Sequence, residues 1–185
     1  AVEPLNNEKV RQALCYAINP DEIMDMMADG KGVRVGTSMY PGLKKYFDDK
    51  FGRALSFLID VGHAANRGDY KQASFYLHQS AENLLRTVSL VHILYSPKNH
   101  DLDELLRSCK AYTIELCRAF PRNTPEEERL FDLLQRSYIE SRYNPDFEIT
   151  KTDIEALVPK VERLRDIVEK ICREQIAFYG YQIKK

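Results

Sequence analysis

Apolar positions along most of the chain recur every three or four residues, which is the spacing of one buried helix face. From Tyr46 to Asn66 the set is Phe47, Phe51, Leu55, Leu58, Ile59 and Gly62, and Arg67-Gly68-Asp69 ends that helix and caps the next. From Tyr70 to Tyr95, Ala73, Leu77, Ala81, Leu84, Leu85, Val88, Val91 and Leu94 continue the period and predict the central helix. Ser96-Pro97-Lys98-Asn99-His100 breaks it. Asp101 then caps a helix bearing Leu102, Leu105, Leu106, Cys109, Tyr112, Leu116 and Cys117, closed by Phe120-Pro121-Arg122-Asn123. Thr124-Pro125-Glu126-Glu127 places a cap, a first-turn proline and two acids at the positive end of a helix dipole, and that helix is expected to reach Ser141 or Arg142. After the turn at Asn144-Pro145-Asp146, either Thr150, or Thr152 with Glu155 as a capping box, opens the last helix, which carries Leu157, Val161, Leu164, Val168, Ile171 and Ile176. Pro159 falls in its first turns. No alternating run supports a strand, so the expectation is an all-α, antiparallel up-and-down bundle of about five helices joined by short loops.

The turn-rich stretch Asp29 to Gly42 holds Gly30, Gly32, Gly36, Pro41 and Gly42 and marks a boundary. Residues 1–42 are read as a separate N-terminal segment, a short helical hairpin, and residues 43–185 as the bundle. In the hairpin, Val10, Leu14 and Ala17 share a face, and Asn19-Pro20-Asp21-Glu22 opens the second helix. Ala1 in place of Met is what a fragment or a processed chain would show.

Charge narrows the picture. The 27 Lys and Arg nearly cancel the 28 Asp and Glu, leaving a net charge of −1, so any contact with nucleic acid must be local rather than steered by a global field. No apolar run approaches the ~20 residues that span a bilayer, and no secretory signal stands at the N-terminus, so a cytoplasmic protein without membrane contact is expected. Cys15, Cys109, Cys117 and Cys172 form no CxxC pair, which fits buried thiols better than a zinc site or a disulfide framework. The chain has no Walker loop, GxSxG elbow, HExxH or paired-acid metal motif, and Asp101 and Asp103 are explained by a helix cap. No cofactor and no metal are therefore expected.

Three segments occur in the right order for a known family: Ala73 to Leu85, Lys98 to Leu106, and Tyr138 to Pro145. Together they resemble HEPN domains, helical bundles often encoded beside or fused to minimal nucleotidyltransferases. The resemblance implies a module linked to nucleotides or RNA, a homodimer, and a nucleotidyltransferase domain or protein as a partner. Many members are metal-independent ribonucleases that need an Arg followed after four to six residues by a His. Here the positions after Arg142 hold Phe147, Glu148 and Ile149, none of which supplies an imidazole acid or base. Arg86 and His92 satisfy the spacing alone, but six helical residues turn ~600° and put the two on different faces. No catalytic residue is assigned.

A binding site remains. His78 and Glu82 stand four apart on one helix face and can meet His100 and Arg142 from neighbouring elements. Arg142 offers a planar fork for phosphate and Tyr143 a stacking ring, with Lys98 beside them. The same residues can equally form a buried polar network, with His78 paired to Glu82 and Arg142 bonded to loop carbonyls. Tyr76 and Tyr138 stand out from aromatic residues that otherwise fill the core, and His63 and His92 read as packing or surface residues. Three functions stay open: a nucleotide- or RNA-binding module or nucleotidyltransferase partner, a divergent ribonuclease in which His100 replaces the missing His, and a purely structural or dimerisation module. Finally, Asn6 to Ile23, with Gly30-Lys31-Gly32-Val33 and Pro41-Gly42, resembles a fragment of the extracellular peptide-binding proteins of ABC importers, solute-binding protein family 5. Some 45 residues cannot enclose a peptide, so that function does not transfer.

Overall fold

The computed structural model describes residues 43–183, and before them only residues 7, 9, 10, 13, 17, 22 and 26; the side chains described end at Tyr179. The predicted N-terminal hairpin and the peptide-binding-protein resemblance lie outside the described residues. The chain divides into two compact units, Ala1–Ser38 and Met39–Lys185.

The second unit is an all-α antiparallel bundle of five helices: α1 (Leu43–Asn66), α2 (Tyr70–Ile93), α3 (Leu102–Cys109), α4 (Pro125–Tyr143) and α5 (Lys151–Ile183), with a 3-10 turn at Glu115–Arg118 between α3 and α4. No strand occurs among the described residues. Gly68 takes φ +75, a conformation that costs glycine little, and so reverses the chain between α1 and α2 in three residues. Asp69 then caps α2 by accepting from the Gln72 amide at 3.1 Å.

Helix α2 lies at the centre and packs on α1, α5, α4 and α3. Its Leu77, Leu84, Leu85, Val88 and Val91 are fully buried together with Leu105 of α3, Leu134 of α4 and Leu157 and Leu164 of α5. Because α2 is enclosed on nearly every side, it also buries polar residues, and their hydroxyls are satisfied locally. Ser80 reaches across to the Ala54 carbonyl of α1 at 2.9 Å, and Thr87 bonds back to the Asn83 carbonyl at 2.7 Å. The result is a helix that can carry a row of polar groups through the core at His78 and Glu82.

Two element boundaries differ from expectation, and at a third the structure chooses between the two caps expected. Helix α2 stops at Ile93 rather than Tyr95, because Leu94 adopts a left-handed φ of 55 and its amide closes onto the Leu90 carbonyl. The helix opened by Asp101 ends at Cys109 instead of running to Cys117. The amides of Tyr112 and Thr113 both turn onto the Cys109 carbonyl, and the Thr113 hydroxyl accepts from the Glu115 amide, which starts the 3-10 turn. Helix α5 is capped by Thr150 with Asp153, not by Thr152 with Glu155. The Asp153 amide donates to the Thr150 hydroxyl oxygen at 3.2 Å while the Thr150 amide donates to the Asp153 carboxylate at 2.9 Å. The helix continues through Pro159.

Candidate functional site

Spacing on α2 builds the floor of the site. His78, Glu82 and Arg86 succeed one another at intervals of four and so share one face, which looks onto the loop between α2 and α3. That loop has no internal ladder to hold it, and α2 grips its backbone at two consecutive carbonyls. Arg86 Nη2 donates to the Asn99 carbonyl at 2.6 Å, and His78 Nε2 lies 3.1 Å from the His100 carbonyl. A carbonyl can only accept, so His78 carries its proton on Nε2 and leaves Nδ1 as the bare nitrogen. Between the two clamps, Glu82 takes the His100 side chain, with Oε2 at 2.8 Å from Nδ1, and pairs with Arg86 Nη1 through Oε1 at 2.6 Å.

Burial sorts these groups into holders and a presented residue. The His78 and Glu82 side chains are 0% and 2% exposed, whereas that of His100 is 42% exposed. Burial drives the His78 pKa down to about 4 from an ordinary 6.5; the bond to the His100 carbonyl opposes this, and the positive charges of His100, Arg86 and Arg142 reinforce it. His78 is thus a neutral strut at ordinary pH. His100, oriented by a buried carboxylate, is the group offered to solvent.

Helix α4 supplies the wall. Tyr138 stacks on His100 with ring centroids 4.0 Å apart at 14°, and its hydroxyl lies 2.9 Å from His100 Nε2. The same ring faces His78 at 5.2 Å and Phe75 at 6.4 Å. Arg142, one turn on, sets its guanidinium 4.5 Å from the Tyr138 ring centre, 4.9 Å from Phe75 and 5.1 Å from Tyr143. Its Nε donates to the Tyr138 carbonyl of its own helix at 2.8 Å, and among the described residues no carboxylate pairs with it. A cavity of about 440 Å3 opens beside His100 and Tyr138, with Asp101, Arg136, Ile139 and Glu140 on its rim. Among the described residues no group of three His, Cys, Asp or Glu could hold a metal ion.

An all-α bundle with a polar α2 face, an ordered Lys98 to Asp101 loop and a Tyr-Arg-Tyr end to α4 has a counterpart among known domains. The HEPN domain model matches residues 48–171. The chain belongs to the HEPN domain family. No curated protein matches it.

For this HEPN domain the structure brings four expected site residues to one place and separates two. His78, Glu82 and His100 are in contact, and Arg142 joins them through Tyr138. Lys98 is exposed on the same loop without touching them, and Tyr143 is 73% exposed, meeting only the Arg142 side. Two details of the expected network are corrected. His78 does not hydrogen-bond Glu82: its Nδ1 stays 3.8 Å away and unpartnered because Nε2 is committed to the His100 carbonyl. Arg142 bonds its own helix rather than loop carbonyls, since the guanidinium is drawn over the aromatic rings.

Two participants were missed or undervalued. Arg86 entered the sequence reading only as a partner for His92, yet it holds both Glu82 and the loop. The two are indeed apart: His92 bonds the Val88 carbonyl at 2.9 Å and stacks on Tyr112 at 4.8 Å. Its place four residues after Glu82 was the signal that could have found Arg86. Tyr138, noted only as unusual, is the hub. Phe147 and Ile149, at positions where nuclease members place their His, are buried core residues.

Proposed function

We propose that this HEPN domain binds a nucleotide or an RNA end at the His100–Arg142 site and acts as the partner of a minimal nucleotidyltransferase domain or protein. The observation that carries the reading is Arg142. Its guanidinium lies among three aromatic rings and, among the described residues, hydrogen-bonds through Nε alone, so two terminal nitrogens are left for a phosphate. Tyr143 offers an exposed face for a base and Lys98 a nearby point charge, while His100, held by Glu82 at Nδ1, fixes the Tyr138 hydroxyl through Nε2. His78, Glu82 and Arg86 act as positioning residues. Binding as a homodimer in the cytoplasm belongs to the same proposal, with the exposed Ile139 and Tyr143 of α4 beside the site as the surface to test by sedimentation.

A second reading has one specific observation behind it. A buried carboxylate on the Nδ1 side of a half-exposed imidazole is how general bases are commonly oriented. That favours metal-independent RNA cleavage with His100 in place of the missing His. Incubating the protein with labelled RNA in EDTA separates the two. Binding that weakens in Arg142→Ala and His100→Ala, with the RNA intact, supports the module. Cleavage abolished by His100→Ala sinks it in favour of the nuclease. Neither binding nor cleavage by the wild type refutes both.

A further inference from the structure

A second cavity, of about 480 Å3, lies along α3 on the side away from His100 and is bordered by the chain leading into α4. Its charge is lopsided. Arg107, Lys110, Arg118 and Arg122 line it against one carboxylate, Asp103, so the lining carries three positive charges in a chain whose net charge is −1. Asp103 does not neutralise the groove so much as organise it. Arg122 Nη2 holds its Oδ1 at 2.5 Å and Arg107 Nη2 holds its Oδ2 at 2.6 Å, each through a single nitrogen. The Arg122 fork, with Arg107 behind it, keeps the Asp103 carboxyl below its usual range despite some burial. The plane of Arg122 is fixed a second time by stacking 3.8 Å over Phe131. Lys110 and Arg118 form no ion pair among the described residues and are exposed. Two oriented forks with donors to spare and two unpaired cations form a surface for successive phosphates rather than for a neutral ligand.

Position links this groove to the proposed site. Asp101 borders the His100 cavity and Asp103 borders the groove, so the two share the first turn of α3. Along α4, whose 19 residues run about 28 Å at 1.5 Å each, the groove meets the N-terminal end and Arg142 stands at the other. That span is roughly eight nucleotides at the 3.4 Å rise of a stacked strand, and fewer if extended. We infer that the α3 groove is a phosphodiester-binding surface and that the ligand of the His100–Arg142 site is a single RNA strand long enough to reach both, not a mononucleotide. The second half of this inference rests on the function proposed above.

The test is fluorescence anisotropy on the full chain with a labelled RNA dinucleotide and a labelled dodecamer, using the wild type, the exposed triple variant Arg107→Ala/Lys110→Ala/Arg118→Ala, and Arg142→Ala. Cys117, which is exposed on the groove wall, adds a direct probe: its alkylation by iodoacetamide is followed by peptide mass. The dodecamer should bind more tightly than the dinucleotide and slow Cys117 alkylation. The triple variant should keep dinucleotide affinity, lose the gain from length, and show a log K against log salt slope shallower by about 2, from ~0.7 per cation lost. Equal affinity for both RNAs, with Cys117 unprotected, overturns the groove while Arg142-dependent dinucleotide binding leaves the site standing. Length-dependent binding that ignores Arg142→Ala supports the groove and overturns the shared strand. Displacement of the dodecamer by polyglutamate of equal charge overturns its assignment to phosphodiesters.

Discussion

Two polar clusters tie helices together in this HEPN bundle, and they are finished to different degrees. At the junction of α4 and α5, Arg129 donates twice to Glu126 at 2.7 Å and once to Asp153 at 2.5 Å, and the other oxygen of Asp153 receives the Thr150 amide and hydroxyl. Burial works against the Asp153 charge, yet Arg129 and Thr150 hold its carboxyl below the ordinary range. Every group there has a use within the fold. The cluster on α2 differs: among the described residues, His78 Nδ1, Arg86 Nε and Asn99 Oδ1 have no hydrogen-bond partner, and Arg142 has rings but no carboxylate. What separates the two clusters is saturation rather than the presence of charge.

The largest break in that comparison is Glu82→Ala. It removes the one anion of the α2 cluster and strands the Arg86 cation, whose side chain is only 14% exposed. Removing one partner of a buried pair costs about 3 to 5 kcal/mol. Denaturant unfolding should show a loss in that range, with the midpoint moving and the slope unchanged. A loss under about 1 kcal/mol would mean that Glu82 does not hold the cluster.

Acid is the next lever, and it acts on His78. Its folded pKa of about 4 lies below the ordinary 6.5, so between those values the unfolded chain takes up a proton that the folded chain refuses. Stability is therefore complete above about pH 6.5 and falls as pH drops toward 4, by at most on the order of 3 kcal/mol. The depressed carboxyls of Asp103, Glu126, Glu140 and Asp153 begin to lose their contributions only below about pH 5, as their unfolded counterparts protonate, so the stretch from about pH 6.5 to about pH 5 belongs to His78. Unfolding free energies measured from about pH 7 to about pH 5 should slope in the wild type and flatten in His78→Gln. An equal slope in both would assign the effect to other groups.

A smaller effect is expected at the finished cluster. Asp153→Ala removes half of the α5 capping box and one partner of Arg129, which stays 45% exposed and keeps Glu126. A cap is worth about 1 kcal/mol, and an ion pair to an exposed arginine adds less than another. Thermal and denaturant melts should therefore place this variant between one third and one half of the Glu82→Ala loss. A cost equal to that of Glu82→Ala would erase the distinction between the clusters.

How much of this was legible in the sequence follows from which interactions are local. Asp69, Asp101 and Thr124 could be read as caps because a cap bonds an amide three residues on. The apolar period placed Leu77, Leu84, Leu105 and Leu157 in the core because a helix face is a property of one segment. The end of α2 at Leu94 was not legible, since no glycine announces its left-handed turn, and neither was the early stop of α3, which depends on Thr113 turning back to the Glu115 amide. At the site, the four-residue spacing of His78 and Glu82 suggested a shared face, but the choice of partner did not follow from it. Glu82 turned to His100 and Arg86, and His78 to a carbonyl 22 residues away, because the loop between α2 and α3 folds back onto that face. Tyr138 became the hub for the same reason: its ring neighbours Phe75 and His78 come from α2 and His100 from the loop that folds back onto it.

The sharpest form of the comparison uses two arginines of one helix and expects almost no change in stability from either. Arg136 is paired with Glu140 at 2.7 and 2.8 Å and with Asp132 at 3.3 Å, whereas Arg142, among the described residues, bonds through Nε alone and lies over its rings. Both side chains are exposed, so Arg136→Ala and Arg142→Ala should each shift unfolding by no more than about 0.5 kcal/mol. Their effects on RNA should diverge. A charge-assisted bond to phosphate is worth about 1.5 to 3 kcal/mol, so Arg142→Ala should weaken binding roughly ten- to a hundredfold, and Arg136→Ala should leave it unchanged. Arg142→Lys should not restore affinity, because an ammonium keeps the charge but loses the planar fork and its stacking. Equal losses in Arg136→Ala and Arg142→Ala would show that the RNA senses only the summed charge of α4, and the free fork would then have no role of its own.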